Sequence, residues 1–547
     1  MAPPSTISNG DNHVSSGGIV PGRLMPEGVA ARRAAAGKLN GGIAARTDSE
    51  LFKAPAPWKP LAKRWDYRLS TESKARKSTV LKSLAKHMAT PGMLPSLLTA
   101  GPYSWIPGMI SLGGGLPLGE YFPFESFDIK VPALGKFTQA ETEVSGEIMH
   151  IGKHDIRDGK SSYDLWVALN YGQASGSAQL LRWVTEHTEI VHNPPYRDWA
   201  CTLSAGSTSS LDMVYRMFLE RGDYVISEEY TFATAVETSH PLGCRFVGVA
   251  MDDEGMIPSA LDTLLATWDV EARGARKPFL MYTVPSGQNP TGATQSAQRR
   301  KEIYKVAQKH DLIIIEDEPY YFLQMNPYGV PAEEQKTQLT SEEFIASLVP
   351  SLLSIDTDGR VVRLDSFSKV LAPGSRTGWV VASAQICERI QRHGEVSTQH
   401  PAGISQVILH RLLDEQWGHA GYLQWLGNIR KEYTQRRDVL MAACEEHLPK
   451  SVVSWTPPAA GMFHWMNLDI SKYPGNKTPK EIEEEVFAKA IKECVLVTPG
   501  SYFLADQETE MEKVFFRATF AAAEFGAMNE AIRRFGAAIR EVFGIEN

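Results

Sequence analysis

Between about residues 160 and 400, short apolar runs alternate with helically spaced segments, and each run ends in a cluster of polar and turn-forming residues. Trp199-Ala-Cys-Thr-Leu-Ser-Ala-Gly206 reads as a strand, and the following stretch, 207–219, as a helix. Tyr224-Val-Ile-Ser reads as a second strand. Phe279-Leu-Met-Tyr-Thr-Val284 is a third, delivering the turn Ser286-Gly-Gln-Asn289-Pro-Thr-Gly292. Asp311-Leu-Ile-Ile-Ile315 is a fourth and ends in Glu316-Asp317-Glu-Pro-Tyr320. Runs of Leu and Ile without alternation belong in a parallel sheet covered on both faces. The pattern therefore predicts an α/β fold whose large domain, 160–400, holds a mostly parallel sheet flanked by helices. Ligands in such sheets bind beyond the carboxyl ends of the strands, so Asn289, Asp317 and Tyr320 are expected to converge on one crevice.

The pattern changes after residue 400. Segments 403–413 and 422–448 have helical spacing, while 452–455 and 461–467 read as strands. A smaller α+β domain is expected there, over 401–547, joined by part of an N-terminal arm at 58–159. Segment 341–353, between Tyr320 and the next polar cluster, looks partly helical. Residues 1–57 are rich in Gly, Ala, Ser and Pro with little apolar periodicity and read as a disordered extension. Its arginines suggest a transit peptide, but Asp11, Glu27, Asp48 and Glu50 dilute that signal, so a cytoplasmic protein is expected, with a mitochondrial one as the alternative.

Composition narrows the function classes. The 547-residue chain is 43% hydrophobic and 22% charged, ordinary for a soluble globular protein of more than one domain. A net charge of −8 without a basic stripe argues against a nucleic-acid partner. The 5 cysteines have no metal-ligand spacing, which suits free thiols in a reducing compartment. No run approaches membrane-spanning length.

The segment Ser366-Phe-Ser-Lys369-Val-Leu-Ala-Pro-Gly-Ser-Arg376-Thr-Gly-Trp379 pairs a lysine with an arginine seven residues on. A lysine forms a Schiff base with an aldehyde only as the free amine, and Arg376 can bind a phosphate while lowering the pKa of Lys369. An aldehyde cofactor carrying a phosphate is pyridoxal phosphate. Ser366 to Lys369 also spells S-x-x-K, the nucleophile motif of serine β-lactamases, but the S-D-N and K-T-G partners are missing. Asp317 is the candidate carboxylate for the pyridine nitrogen, ahead of Glu316 and Glu318. Asn289 and Tyr320 can hydrogen-bond the ring's phenolic oxygen. Ser207 and Thr208, at a helix start, offer backbone N–H groups to the phosphate, and Tyr230 or Phe232 offers a ring to stack or simply packs in the core. Lys369, once displaced by a substrate amine, would serve as the general base.

These ordered clusters resemble the fold-type I pyridoxal-phosphate aminotransferases of class I and II, over about residues 74–542. Within them the chain looks like the branch of fungal aromatic and kynurenine/2-aminoadipate aminotransferases, through Ile110-Ser-Leu-Gly-Gly-Gly-Leu-Pro117, Leu169-Asn-Tyr171-Gly and Phe515-Phe-Arg517-Ala-Thr-Phe. The resemblance implies a homodimer in which Tyr171 reaches the phosphate of the neighbouring subunit. It implies that Arg517 grips the substrate α-carboxylate through two parallel N–H bonds, that Phe232 is the stacking ring, and that Gly115 lies near the substrate carboxylate. No arginine around 91–96 matches the one that some kynurenine-type members set in the site. The implied reaction is a ping-pong transfer of an amino group from an aromatic amino acid to a 2-oxo acid, with 2-oxoglutarate/glutamate as the second pair. A 2-aminoadipate/kynurenine aminotransferase and a lyase or decarboxylase on the same fold are the alternatives. Tyr103, Trp105, Tyr121, Phe122 and Phe322 are candidates for an aromatic-accepting pocket.

Overall fold

The strands of the large domain are mostly apolar because both of their faces are covered, although Val361–Ser366 also buries the Arg363–Asp365 pair. In the computed structural model, which describes residues 23–37, 39, 41–45, 47–77, 79, 115–330 and 339–546, these runs form one seven-stranded sheet. Its strands are β1 (Trp199–Ser204), β2 (Tyr224–Glu228), β3 (Arg245–Val249), β4 (Leu280–Thr283), β5 (Ile313–Asp317), β6 (Val361–Ser366) and β7 (Gly378–Ser383). The spatial order is β1-β7-β6-β5-β4-β2-β3. Only β7 runs against the others. The expected mostly parallel sheet is therefore present. Helix α1 (Ser207–Phe218) follows β1, and helix α2 (Ala297–Lys309) leads into β5. Segment 341–353 contains the short helix Ser341–Ala346 and the start of a second, Leu352–Ile355.

Helix α3 (Gly418–His447) is 30 residues long, about 45 Å, and serves both halves of the molecule. Its first part buries Tyr422, Leu423 and Leu426 against the large-sheet core, while Leu440, Met441 and Cys444 enter a second core. That second core lies between helices and one face of a four-stranded antiparallel sheet. The sheet comprises β8 (Val453–Trp455), β9 (Phe463–Leu468), β10 (Thr498–Pro499) and β11 (Val514–Thr519), in the order β8-β9-β11-β10. Met466, Leu468, Val514 and Phe516 point into this core. Alternation then sends Phe463, Trp465, Phe515 and Arg517 to the opposite face. Among the described residues, the segment before the large domain does not join this sheet: Ser126–Val131 and Glu147–Gly152 pair with each other and pack near Val407.

The reading of residues 1–57 as disordered does not hold for the described part. Leu24, Val29 and Phe52 are buried in the large-domain core, and Val29–Ala36 is a helix. Ser49 Oγ accepts a hydrogen bond from the Cys201 backbone N–H at 2.8 Å and donates to the Cys201 carbonyl, while Lys53 Nζ donates to the carbonyls of Arg197 and Trp199. Cys201 belongs to β1, an edge strand, so this segment covers an edge that would otherwise be open to pairing with another chain. Arg33 bonds Glu186 (Nε to Oε1, 2.9 Å) and Asp414, and Arg32 pairs with Glu189. Ion pairs with residues more than 150 positions away replace the amphipathic stripe that composition lacks.

Arg33→Ala is expected to destabilise the protein by about 2 kcal/mol, because Glu186 and Asp414 are nearly buried and lose a shared partner while keeping His419 and Arg182. Urea unfolding measures this, with kcat/KM unchanged; an unaltered unfolding midpoint would show that the segment is not held by these pairs.

Candidate active site

The carboxyl ends of the parallel strands bring the sequence-singled residues together along one edge of the sheet. β1 passes through Gly206, with φ at +101°, into the first turn of α1. A β-carbon at Gly206 would stand 2.7 Å from Arg376 Nη2, so only glycine lets the guanidinium lie across this turn. Arg376, itself at φ +46°, donates from Nη2 to the Ala205 carbonyl at 3.1 Å and from Nη1 to the Pro373 carbonyl at 2.9 Å. Ser207 Oγ is buried without a hydrogen-bond partner among the described residues, and Thr208 beside it is exposed. Gly378 packs against the Cα atoms of both Gly206 and Ser366. Ser366 Oγ donates to Ser368 Oγ at 2.8 Å and accepts from the Ser368 N–H at 3.1 Å. Free helix N–H groups, hydroxyls and a guanidinium converge here, a set suited to a phosphate.

Lys369 sits exposed in the turn after β6, between the buried side chains of Phe367 and Val370. Trp425 Nε1 of α3 donates to the Val370 carbonyl at 2.7 Å and fixes that turn. Lys369 has no carboxylate within 4.0 Å among the described residues.

Asp317 ends β5 in full burial. Tyr282 of β4 donates its hydroxyl to Asp317 Oδ2 at 2.8 Å, and Oδ1 is left buried without a partner. Burial pushes this carboxyl up to about 6, against the pull of the Tyr282 hydrogen bond. Its neighbours are committed elsewhere. Glu316 accepts from the backbone N–H groups of Leu352 and Leu353 and pairs with Arg363 at 3.3 Å, while Glu318 accepts from Ser286 and pairs with Arg300. Asp317 Oδ1 and Glu318 Oε2 are both buried without a hydrogen-bond partner among the described residues, but Glu316 and Glu318 already face arginines, so Asp317 is the acid of this turn left without a cationic partner.

The Asn289 turn packs backbone to backbone against the small sheet. A β-carbon on Gly287 would meet Gly461 Cα at 2.5 Å, and one on Gly292 would meet the Phe463 carbonyl at 2.6 Å; both glycines also have positive φ. Across this seam Arg517 Nη1 donates to Asn289 Oδ1 at 2.7 Å, and Nη2 reaches Thr498 Oγ1 at 3.4 Å. The guanidinium lies 4.5 Å from the Phe463 ring centre and 4.6 Å from that of Phe503. No carboxylate pairs with it among the described residues. Tyr320, buried and edge-on to Phe463 at 5.7 Å, completes this wall. The result is a half-buried cation framed by aromatic rings, ready to take an anionic group.

Other expected residues stand differently. Phe232 is half-buried at the start of helix Ala233–Ser239, whereas Tyr230 is a core ring, edge-on to Trp465 and Phe515. Tyr171 is 52% exposed and lines a shallow, open concavity with Ala44, Gln173, Ser177 and His400. Gly115 has no atom of the described residues within 4 Å of where its β-carbon would be. Of the candidate pocket rings, Tyr103 and Trp105 lie outside the described residues, Tyr121 is exposed, and Phe322 is buried against His187 and Tyr321. Phe322 is therefore a core ring: it packs with side chains of the sheet face opposite Asp317. Sequence reasoning missed Tyr282, Phe463, Phe503 and Thr498. The alternation over 461–467 and 514–519 was the signal available for Phe463, since it places that ring on the face of Arg517.

Residues 169–535 match the family Aminotransferase class I and II. The chain is 42% identical over 480 residues to an aromatic amino acid aminotransferase of Schizosaccharomyces pombe, covering 87% of this chain and 98% of that one. This chain belongs to the class I and II aminotransferases. The crystal structure of aminotransferase Aro8 from Candida albicans aligns with a TM-score of 0.79 at 40% identity, covering 89% of this aminotransferase and all of that chain. A Pyrococcus horikoshii kynurenine aminotransferase, solved with PMP, aligns with a TM-score of 0.59 at 26% identity over 86% of this chain and 96% of its own. The enzyme is thus a transaminase on the fold-type I architecture.

One buried acid beneath the Asn289 loop has a measurable signature. Glu228 ends β2, accepts from Thr283 Oγ1, and has Oε2 buried without a partner; burial pushes it up to about 7. A folded-state pKa above the ordinary value of 4.5 means the native state binds the proton more tightly. Stability from this group is fully present below about pH 4.5 and lost as pH rises through 7, a loss of about 3 kcal/mol. Glu228→Gln is therefore expected to match wild type near pH 4.5 and exceed it by about that amount at pH 8.5, read by urea unfolding at both pH values. A difference independent of pH would contradict this.

Proposed function

We propose that this aminotransferase moves the amino group of an aromatic amino acid to 2-oxoglutarate by a ping-pong route, using pyridoxal phosphate. The observation that carries the reading is Arg517: an unpaired guanidinium tied to Asn289 and framed by Phe463, Phe503 and, through Phe463, Tyr320. Every amino or oxo acid presents an α-carboxylate for such a fork, and the flanking rings favour an aromatic side chain. The aromatic names carried by the Schizosaccharomyces relative support the same choice.

The residues present fit the cofactor, because two buried atoms without partners, Ser207 Oγ and Asp317 Oδ1, stand where a phosphate and a protonated ring nitrogen would satisfy them. Ser207, Thr208, Ser366 and Arg376 would hold the phosphate; Asp317, Asn289, Tyr320 and Phe232 would hold the ring. When bound there, pyridoxal phosphate supplies an aldehyde that accepts the amino group and a ring that withdraws electrons from the substrate α-carbon. Arg517 orients the substrate by its carboxylate. Lys369 Nζ takes the proton from the substrate α-carbon and returns it during transfer. Asp317 keeps its charge against burial, so that the ring stays protonated. The exposed Tyr171 is the residue we assign to the neighbouring subunit's phosphate in a homodimer. All 5 cysteines are free, which suits the reducing, cytoplasmic location we propose, and no described helix is long and apolar enough to cross a membrane.

Borohydride reduction of the cofactor-loaded enzyme followed by peptide mapping should label Lys369, and phenylalanine with 2-oxoglutarate should give phenylpyruvate and glutamate. A label on another lysine would move the assignment; product that forms without the oxo acid would favour a lyase or decarboxylase. Arg517→Lys should raise KM for donors and oxo acids together. One of two charge-assisted bonds is lost, roughly 1.5–3 kcal/mol, or about a 10- to 150-fold fall in kcat/KM, with cofactor affinity unchanged. Activity lost toward glutamate but kept toward phenylalanine would instead make Arg517 a reader of the side-chain carboxylate.

A further inference from the structure

Tyr282 has no place in the chemistry described above, yet its hydroxyl is fully buried and spent on one acceptor, Asp317 Oδ2, at 2.8 Å. Strand register explains the meeting. Tyr282 of β4 pairs with Ile315 of β5, so its side chain emerges on the same face as Ile315 and Asp317, one pleat below the latter. Asp317 in turn pairs with Leu364 of β6, an apolar neighbour that offers it no hydrogen bond. The carboxylate therefore has one described donor, and that donor is on one side only. With Oδ2 engaged, rotation about the Cβ–Cγ bond is restricted, and Oδ1 is left buried without a partner among the described residues.

We propose that Tyr282 is a positioning residue that presents Asp317 Oδ1 to the cofactor's ring nitrogen and stabilises the charge on that carboxylate. The inference rests on the pyridoxal-phosphate reading of the site. A carboxylate buried this deeply favours its neutral form, and a hydrogen bond to the charged form opposes that. The other groups acting on Asp317 do not replace Tyr282. Asp365 of β6 repels the charge and Arg363 attracts it, but Arg363 is bound bidentately to Asp365 and paired with Glu316. The hydroxyls of Tyr215 on α1 and Tyr320 lie close enough to feel the charge, yet neither donates to it. Tyr282 is itself held firmly protonated, since burial and the adjacent carboxylate both raise its pKa, so it stays a donor.

The test is a double-mutant cycle on the cofactor-loaded enzyme, with Tyr282→Phe, Asp317→Asn and the double variant, each checked for native circular dichroism. Tyr282→Phe keeps the ring and removes only the donor. It is expected to lower kcat by about 10- to 100-fold with KM for phenylalanine changed less than about 3-fold. The visible absorbance of its bound cofactor is expected to titrate at lower pH than in wild type, because a carboxyl that protonates more easily attracts the cofactor's protons less. In the Asp317→Asn background the same change is expected to cost less than about 3-fold, since the charge it serves is already gone. Additive losses in the cycle, or a wild-type titration curve in Tyr282→Phe, would overturn the proposal and leave Tyr282 a packing residue. A wild-type protein that develops no visible absorbance with pyridoxal phosphate would instead overturn the cofactor reading on which the inference rests.

Discussion

Strands that run in one direction must end at one edge, and this constraint places most of the candidate active site. β1, β2, β4, β5 and β6 deliver Ser207, Glu228, Asn289, Asp317 and Lys369 in turn, although these residues span more than 160 positions of the chain. The one reversed strand, β7, returns the chain from Arg376 across the sheet between β6 and β1. That return carries the guanidinium back over the α1 N-terminus, so a single turn of chain contributes both Lys369 and its basic neighbour. Apolar burial supplies the stability of the sheet, at roughly 1.5–3 kcal/mol for each fully buried large aliphatic side chain. The polar residues at its edge are free to be chosen for chemistry.

A second sheet has to meet this edge closely enough for Arg517 to reach Asn289. Glycines make that approach possible: Gly287 and Gly461 stand so near that a β-carbon on either would collide with the other's backbone. The long helix α3, packed into both cores, holds the two sheets in this relation. The antiparallel sheet then spends its two faces differently. Met466, Val514 and Phe516 stabilise it against its helices, while Phe463, Phe515 and Arg517 take the opposite face, toward the candidate site. The substrate contact proposed for Arg517 would thus be built on a surface whose reverse is ordinary core.

Much of this was legible in the sequence, for a physical reason. Asn289 and Asp317 stand at the ends of short apolar runs, and Lys369 and Arg376 lie in the turn between two strands, where chemistry-bearing side chains contrast with their surroundings. Tyr282 offers no contrast, because tyrosine is an ordinary strand former and only register shows that it meets Asp317. Phe322 misleads for the related reason that an aromatic near a catalytic turn does not show which side of the sheet it takes. The N-terminal segment was misread because its order comes from partners such as Glu186 and Cys201, which composition cannot reveal.

The central claim is that one site takes an amino group from a donor and keeps it until an oxo acid arrives. The most direct measurement is a half-reaction: cofactor-loaded enzyme mixed with excess phenylalanine and no oxo acid, with products counted per subunit. A single equivalent of phenylpyruvate per subunit, without ammonia or carbon dioxide, followed by renewed release only on adding 2-oxoglutarate, is the predicted result. Continuous turnover in the absence of an oxo acid would contradict the account.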